Sequence, residues 1–228
     1  MSPYYGIGIL HVSKFGDYDR GIAAFELGLE RNPEETWLYM GIGTAQMRAG
    51  RFADAEAALL HLVRVDPDDP HPYGNLGILY LYLRRYDDAI AALRRGIELH
   101  PAEHSDHRVL GFVYERLGRV EEAVAELETA VACEQSDYEA RGALGRLLRA
   151  LGREVEAEEH LVTGRELAAR DDEYGRACWE AVSGNLDEAV RLLEIGLRQN
   201  QVTPGWARID PEFTFLQDDP RYQALLAR

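Results

Sequence analysis

The stretch Gly77-Ile78-Leu79-Tyr80-Leu81-Tyr82-Leu83-Arg84-Arg85-Tyr86-Asp87-Asp88-Ala89-Ile90-Ala91-Ala92-Leu93 reads as one apolar run, a polar break, and a second run with apolar residues at helical spacing. Its small residues recur along the whole chain. Gly43, Gly77, Gly111 and Gly145 are separated by 34 residues each time, and so are Ala55, Ala89, Ala123 and Ala157. Phe25, Leu59, Leu93, Leu127 and Leu161 keep the same interval and follow each small residue by four, one helical turn further along the same face. Three residue classes in one phase require a tandem repeat of that length.

Breakers punctuate each unit. Gly16-Asp17, Gly50-Arg51, Gly118-Arg119 and Gly152-Arg153 fall between two helical runs, and Pro33, Pro67 and Pro101 close units. The reading is all-α, with helix-turn-helix units at about 2–35, 36–69, 70–103, 104–137 and 138–171. A degenerate unit, 172–200, keeps Gly184-Asn185-Leu186-Asp187-Glu188-Ala189, and a closing segment occupies 201–228. The third unit departs from the pattern, with Arg84-Arg85 where a glycine turn is usual. A glycine inside a helix costs about 1 kcal/mol against alanine, so the recurrent ones point to close helix crossings. Replacing Gly77 or Ala89 by leucine should overpack such a crossing.

Gly77-Ile78-Leu79-Tyr80, Arg85-Tyr86-Asp87-Asp88-Ala89-Ile90 and Gly16-Asp17-Tyr18-Asp19 resemble the tetratricopeptide (TPR) repeat family, and the resemblance covers nearly the whole chain. It implies a right-handed α-solenoid of about five to six units with C-terminal capping helices. The ending suits a cap packed on the last repeat: Asp210-Pro211 and Asp219-Pro220 are helix starts, and Trp206, Phe213, Phe215, Leu216, Tyr222, Leu225 and Leu226 supply an apolar face. No extra helix precedes the first unit, which leaves an N-terminal edge on which a second copy could stack.

Composition narrows the partners. The chain has 228 residues, 46% of them hydrophobic, and a formal charge of -15 with only one lysine, Lys14. That charge disfavours nucleic acid and anionic membranes. Cys133 and Cys178 have no metal-ligand spacing and read as free thiols, no basic leader or membrane-length apolar run is present, and residence in the cytoplasm is expected.

In the family, first helices of successive units line a concave groove that holds peptides. Carried over residue by residue, this places Trp37 and Met40 in the second unit, Asn75, Ile78 and Tyr82 in the third, Arg108, Phe112 and Arg116 in the fourth, and Arg146 and Arg149 in the fifth. A groove that is apolar early and cationic late suits a ligand with hydrophobic and acidic residues. Asn75 matches one position of the family's carboxylate clamp, but Met40, Thr44, Ser105 and Val109 occupy other positions and cannot hold a carboxylate.

Enzymatic signatures are missing: no phosphate-binding glycine loop, serine nucleophile elbow or Cys-His pair at a familiar spacing. His100, His104 and His107, with Glu103 and Asp106 among them, form the one stretch resembling metal ligands. Pro101 interrupts it, and it reads better as an inter-repeat turn with His107 packed. The sequence therefore points to a non-enzymatic scaffold or adaptor without cofactor or metal, binding a protein or peptide. Self-assembly through the N-terminal edge is the alternative, and a metal-dependent accessory role is the third.

Overall fold

A computed structural model describes residues 2–227. Helix pairs follow in order: α1 (Pro3–Ile9, extended by a π-helical turn Leu10–Lys14) with α2 (Tyr18–Arg31), α3 (Thr36–Arg48) with α4 (Phe52–Val65), and α5 (His71–Tyr82) with α6 (Tyr86–Leu99). Then come α7 (His104–Arg116) with α8 (Val120–Cys133), α9 (Tyr138–Ala150) with α10 (Glu154–Ala168), and α11 (Glu173–Ser183) with α12 (Leu186–Arg198). Among the described residues there is no strand. Each pair packs on the next, and first helices lie beside first helices, α3 by α5, α5 by α7 and α9 by α11. The chain is an α-solenoid of TPR units.

The glycine interval has a direct steric cause. A methyl group on Gly43, Gly77, Gly111 or Gly145 would lie 3.1, 2.4, 2.8 and 2.6 Å from side-chain atoms of Leu59, Leu93, Leu127 and Leu161, the leucines of the same unit's second helix. Helix pairs therefore cross with a leucine seated on a bare backbone. In the first unit the partner of Phe25 is Gly8, whose added methyl would lie 2.2 Å from the ring. Gly8 stands one residue earlier than the interval requires, and the π-helical turn that follows it absorbs the extra residue.

The breakers work through left-handed backbone. Gly16, Gly50, Gly118 and Gly152 have φ between 63° and 77°, and in the third unit Arg84 takes the same conformation with φ 58°. Asp17, Asp137 and Asp172 start α2, α9 and α11 by accepting from the amides of Arg20, Ala140 and Gly175.

The closing segment forms α13 (Pro204–Ile209), a 3-10 turn (Pro211–Leu216) and α14 (Pro220–Leu226). Phe213, Leu216, Tyr222 and Leu225 share a buried cluster with Ala189, Leu192 and Leu193 of α12. The segment does not stop there, as a cap confined to the last repeat would. It runs back along the first helices as far as the first unit, where the Tyr18 hydroxyl donates to Thr203 Oγ1 at 3.2 Å. Gly205 permits this approach, since a methyl group there would lie 2.2 Å from both the Arg48 carbonyl oxygen and the Tyr18 hydroxyl. The solenoid curves around its own C-terminus.

Candidate binding site

The repeat lays first-helix residues in columns across the inner face, one residue per unit: Trp37, His71, Ser105 and Glu139; Met40, Gly74, Arg108 and Gly142; Thr44, Ile78, Phe112 and Arg146; Arg48, Tyr82 and Arg116. The C-terminal segment covers the later units and the C-terminal ends of the earlier helices. Arg48 stacks on Trp206 at 4.5 Å. Arg116 donates to the Thr214 carbonyl oxygen at 3.0 Å and lies over Phe215, which also meets Phe112 edge-on with ring centroids 6.2 Å apart. Tyr82 borders a depression of about 550 Å³ closed on its far side by Tyr222 and Asp218.

The groove arginines are therefore committed inside the molecule. Arg108, with its side chain 15% exposed, meets Asp137 at 2.6 Å, Glu212 at 3.0 Å and Glu139 at 3.9 Å. Burial works against its charge, but Glu212, Asp137 and Glu139 outweigh burial and hold it protonated. Around it the carboxylates diverge. Burial pushes Glu139 up to about 7 against the pull of Arg108, and burial raises Glu212 too. Asp137 is lowered in spite of burial, because Arg108, the Ala140 amide and His104 all favour its charged form. Arg146 pairs with Glu115 through two bonds of 2.5 and 2.8 Å and donates to the Val182 carbonyl oxygen at 2.8 Å. Arg149 stands apart, half exposed, reaching Glu158 at 3.1 Å and Glu154 at 3.7 Å on the second helix of its own unit. The arginine cluster expected to read an acidic ligand is instead satisfied by this chain's own carboxylates and C-terminal segment.

What stays open is the N-terminal side of α3, α5 and α7. Trp37 is 43% exposed and rests on the edge of His71, ring centroids 5.5 Å apart. Asn75 donates to the His71 carbonyl oxygen at 3.0 Å and to Met40 Sδ at 3.6 Å, and Ile78 is half-buried below it. Met40 itself is buried. Next to these lies a cleft of about 260 Å³ whose lining includes His71, Asn75, Ile78, Glu103, Ser105 and Asp106. Of the ten residues that the resemblance placed on the groove, this open patch brings together Trp37, Met40, Asn75 and Ile78. His71 and Asp106 belong with them and were missed, although both could be found by following the columns of Trp37 and Leu38 through the next units.

The histidine stretch does not converge on a common point. His104 Nδ1 meets Asp137 at 2.8 Å, His107 lies between Glu126 at 2.7 Å and the Pro101 carbonyl oxygen at 3.1 Å, and His100 faces Glu103 at 3.6 Å. Among the described residues no group of three or more His, Cys, Asp or Glu is placed to hold a metal ion, and no helix is long and apolar enough to cross a membrane.

Several solved structures share this architecture. The crystal structure of MamA matches with a TM-score of 0.62 and 25% identity, covering 72% of this chain and 95% of that one. TTC0263, a thermophilic TPR protein in Thermus thermophilus, matches with a TM-score of 0.62 and 25% identity over 83% of this chain and 95% of its own. YrrB, described as a TPR protein with an unusual peptide-binding site, shares the fold at 18% identity and a TM-score of 0.54, over 72% of this chain and 84% of its own. No curated protein matches the chain. The family described as the Cilia and flagella-associated protein 70 C-terminal domain matches residues 11–179, most of the solenoid. With its repeat, its stacked helix pairs and that match, the chain belongs to this family of tetratricopeptide-repeat domains.

Proposed function

We propose that the protein is a non-catalytic scaffold that docks a protein or peptide on the part of its inner face left uncovered by the C-terminal segment. The observation that carries this reading is Trp37, a large aromatic left 43% exposed beside His71, Asn75 and the adjoining cleft. Exposed aromatics at a concave site are where binding energy concentrates, because they bury a large area at small entropic cost. The family membership and the likeness to TPR proteins, one of them described as having a peptide-binding site, support a binding role.

The test is cross-linking capture from the native cell with the wild type, Trp37→Ala and Asn75→Ala. Both substitutions alter partly exposed side chains and should leave the helical content and melting temperature close to the wild type. Loss of the same captured protein with both variants supports the reading, and identical capture by all three proteins sinks it.

A second reading, self-association, is favoured by Ile7 and Leu10 on the first helix, 48% and 47% exposed. Light scattering over a dilution series decides it, since a constant monomer mass excludes stacking through that edge.

A further inference from the structure

Asp106 is unlike its counterparts. In the second, third and fifth units the same position holds Leu38, Pro72 and Ala140, all buried, and Asp106 is itself only 7% exposed. It reaches from α7 into the gap between α5 and α6, where two glycines leave room: a methyl group on Gly74 would lie 2.5 Å from its Oδ1, and one on Gly96 2.7 Å from its Oδ2. It makes no hydrogen bond or ion pair with any described residue. A buried carboxylate in that condition is costly, and burial, with Glu103 adding, pushes it up to about 6.

His107, His100 and His71 favour the charge of Asp106 but do not outweigh burial and Glu103, and each is held by another carboxylate. His71 on α5 is turned to Asp69 at 2.6 Å, His107 on α7 is held by Glu126, and His100 in the α6–α7 turn faces Glu103. Glu103 accepts from the Ser105 hydroxyl at 2.8 Å, and its carboxyl is lowered in spite of burial because the Ser105 hydroxyl and amide hold its charged form. The cleft thus presents two carboxylates. Asn75 adds an acceptor, because its N–H groups are spent on the His71 carbonyl oxygen and Met40 Sδ, which leaves its oxygen for a ligand.

We propose that this cleft binds the cationic end of a lysine or arginine side chain of the docked partner, with Asp106 as its counter-charge, Asn75 as a second acceptor and Trp37 at the rim. The proposal rests on the inner-face reading above and reverses the ligand charge that the groove arginines suggested. An ammonium or guanidinium group satisfies a buried carboxylate by a charge-assisted hydrogen bond, the strong kind. Its long aliphatic stem fits between Ile78 and the aromatic rim.

The test uses two probes, acetyl-Leu-Lys-Leu-amide and the same peptide with norleucine in place of lysine. Each is titrated into the whole isotope-labelled protein at pH 7.5 while the backbone amides of Asn75, Ile78 and Ser105 are followed. The lysine peptide should bind about tenfold tighter than the norleucine peptide. Asp106→Asn keeps the shape and should abolish that preference, while its melting temperature should equal or exceed the wild type because a buried charge is removed. Below pH 6 the wild-type preference should fade as Asp106 takes up a proton. Equal affinities, no response at these amides, or a preference that survives Asp106→Asn would each overturn the cation site. None of these decides the scaffold reading, which is tested by capture with Trp37→Ala and Asn75→Ala.

Discussion

Arg108 Nη1 lies 2.6 Å from Asp137 Oδ2 while its Nε lies 3.0 Å from Glu212 Oε1, so one guanidinium joins the fourth unit to the start of the fifth and to the C-terminal segment. Asp137 is fully buried at its side chain and also caps α9. Removing the positive charge would leave Asp137, Glu139 and Glu212 facing one another, with only the Ala140 amide and His104 left to hold Asp137.

Arg108→Ala is therefore expected to cost about 3–5 kcal/mol in chemical denaturation, the range for breaking a buried pair on one side only. Reversal to glutamate should prevent the C-terminal segment from docking. Lost partner binding in such a variant reports an unfolded inner face, so Arg108 and Arg146 are poor probes of ligand contact. A cost below about 1 kcal/mol, the range of exposed pairs, would show that the cluster does not hold the fourth and fifth units to the C-terminal segment.

The same cluster sets a pH dependence. Glu139 titrates near 7 in the folded protein and Glu212 is also raised, above the ordinary glutamate value. A carboxyl raised on folding stabilises below its unfolded pKa, and that contribution is lost as pH rises through the folded value. Stability should thus fall between about pH 4.3 and pH 7 by about 1–3 kcal/mol from Glu139. Asp137, lowered on folding, acts in the opposite sense and loses its contribution only as pH drops through its folded value, below the ordinary aspartate range. Melting curves from pH 5 to pH 8 should show the decline in the wild type and a flatter profile in Glu139→Gln.

Gly77→Ala tests the helix crossing. The new methyl would lie 2.4 Å from two atoms of the buried Leu93 side chain. Helix propensity favours alanine by about 1 kcal/mol, but overpacking costs about 1–3 kcal/mol, so net destabilisation is expected. A higher melting temperature would show that the crossing has slack.

Arg84→Gly should act the other way. Arg84 holds a left-handed backbone at φ 58°, which costs a non-glycine residue about 1–2 kcal/mol. Its compensation is a two-bond pair with Asp218, both bonds 2.7 Å, between side chains 48% and 77% exposed. A solvent-exposed pair of this kind contributes little, so the glycine variant should be equally or more stable by urea titration. A clear loss would assign the pair a larger role in holding the C-terminal segment to the third unit.

The interval of 34 residues marks the second to fifth helix pairs, because each of those crossings depends on a glycine and a leucine 16 residues apart in the same unit. Such local contacts are written in the spacing. The family resemblance assigned Trp37, Asn75 and Ile78 to the groove, and Asp106 could have been noticed as the charged member of a column that reads Leu38, Pro72 and Ala140 in the second, third and fifth units. The course of residues 201–228 was not accessible in this way. That segment has no repeat, and its partners lie far off in the chain: Thr203 meets Tyr18 across 185 residues and Thr214 meets Arg116 across 98. Whether an arginine faces a ligand or a distant glutamate depends on how the solenoid curves, and curvature sums small rotations over all units. The units and their order came from the chain's local chemistry, while the charge of the surface left open, acidic at Asp106 and not basic at Arg108, arose only when the curved stack closed on its own end.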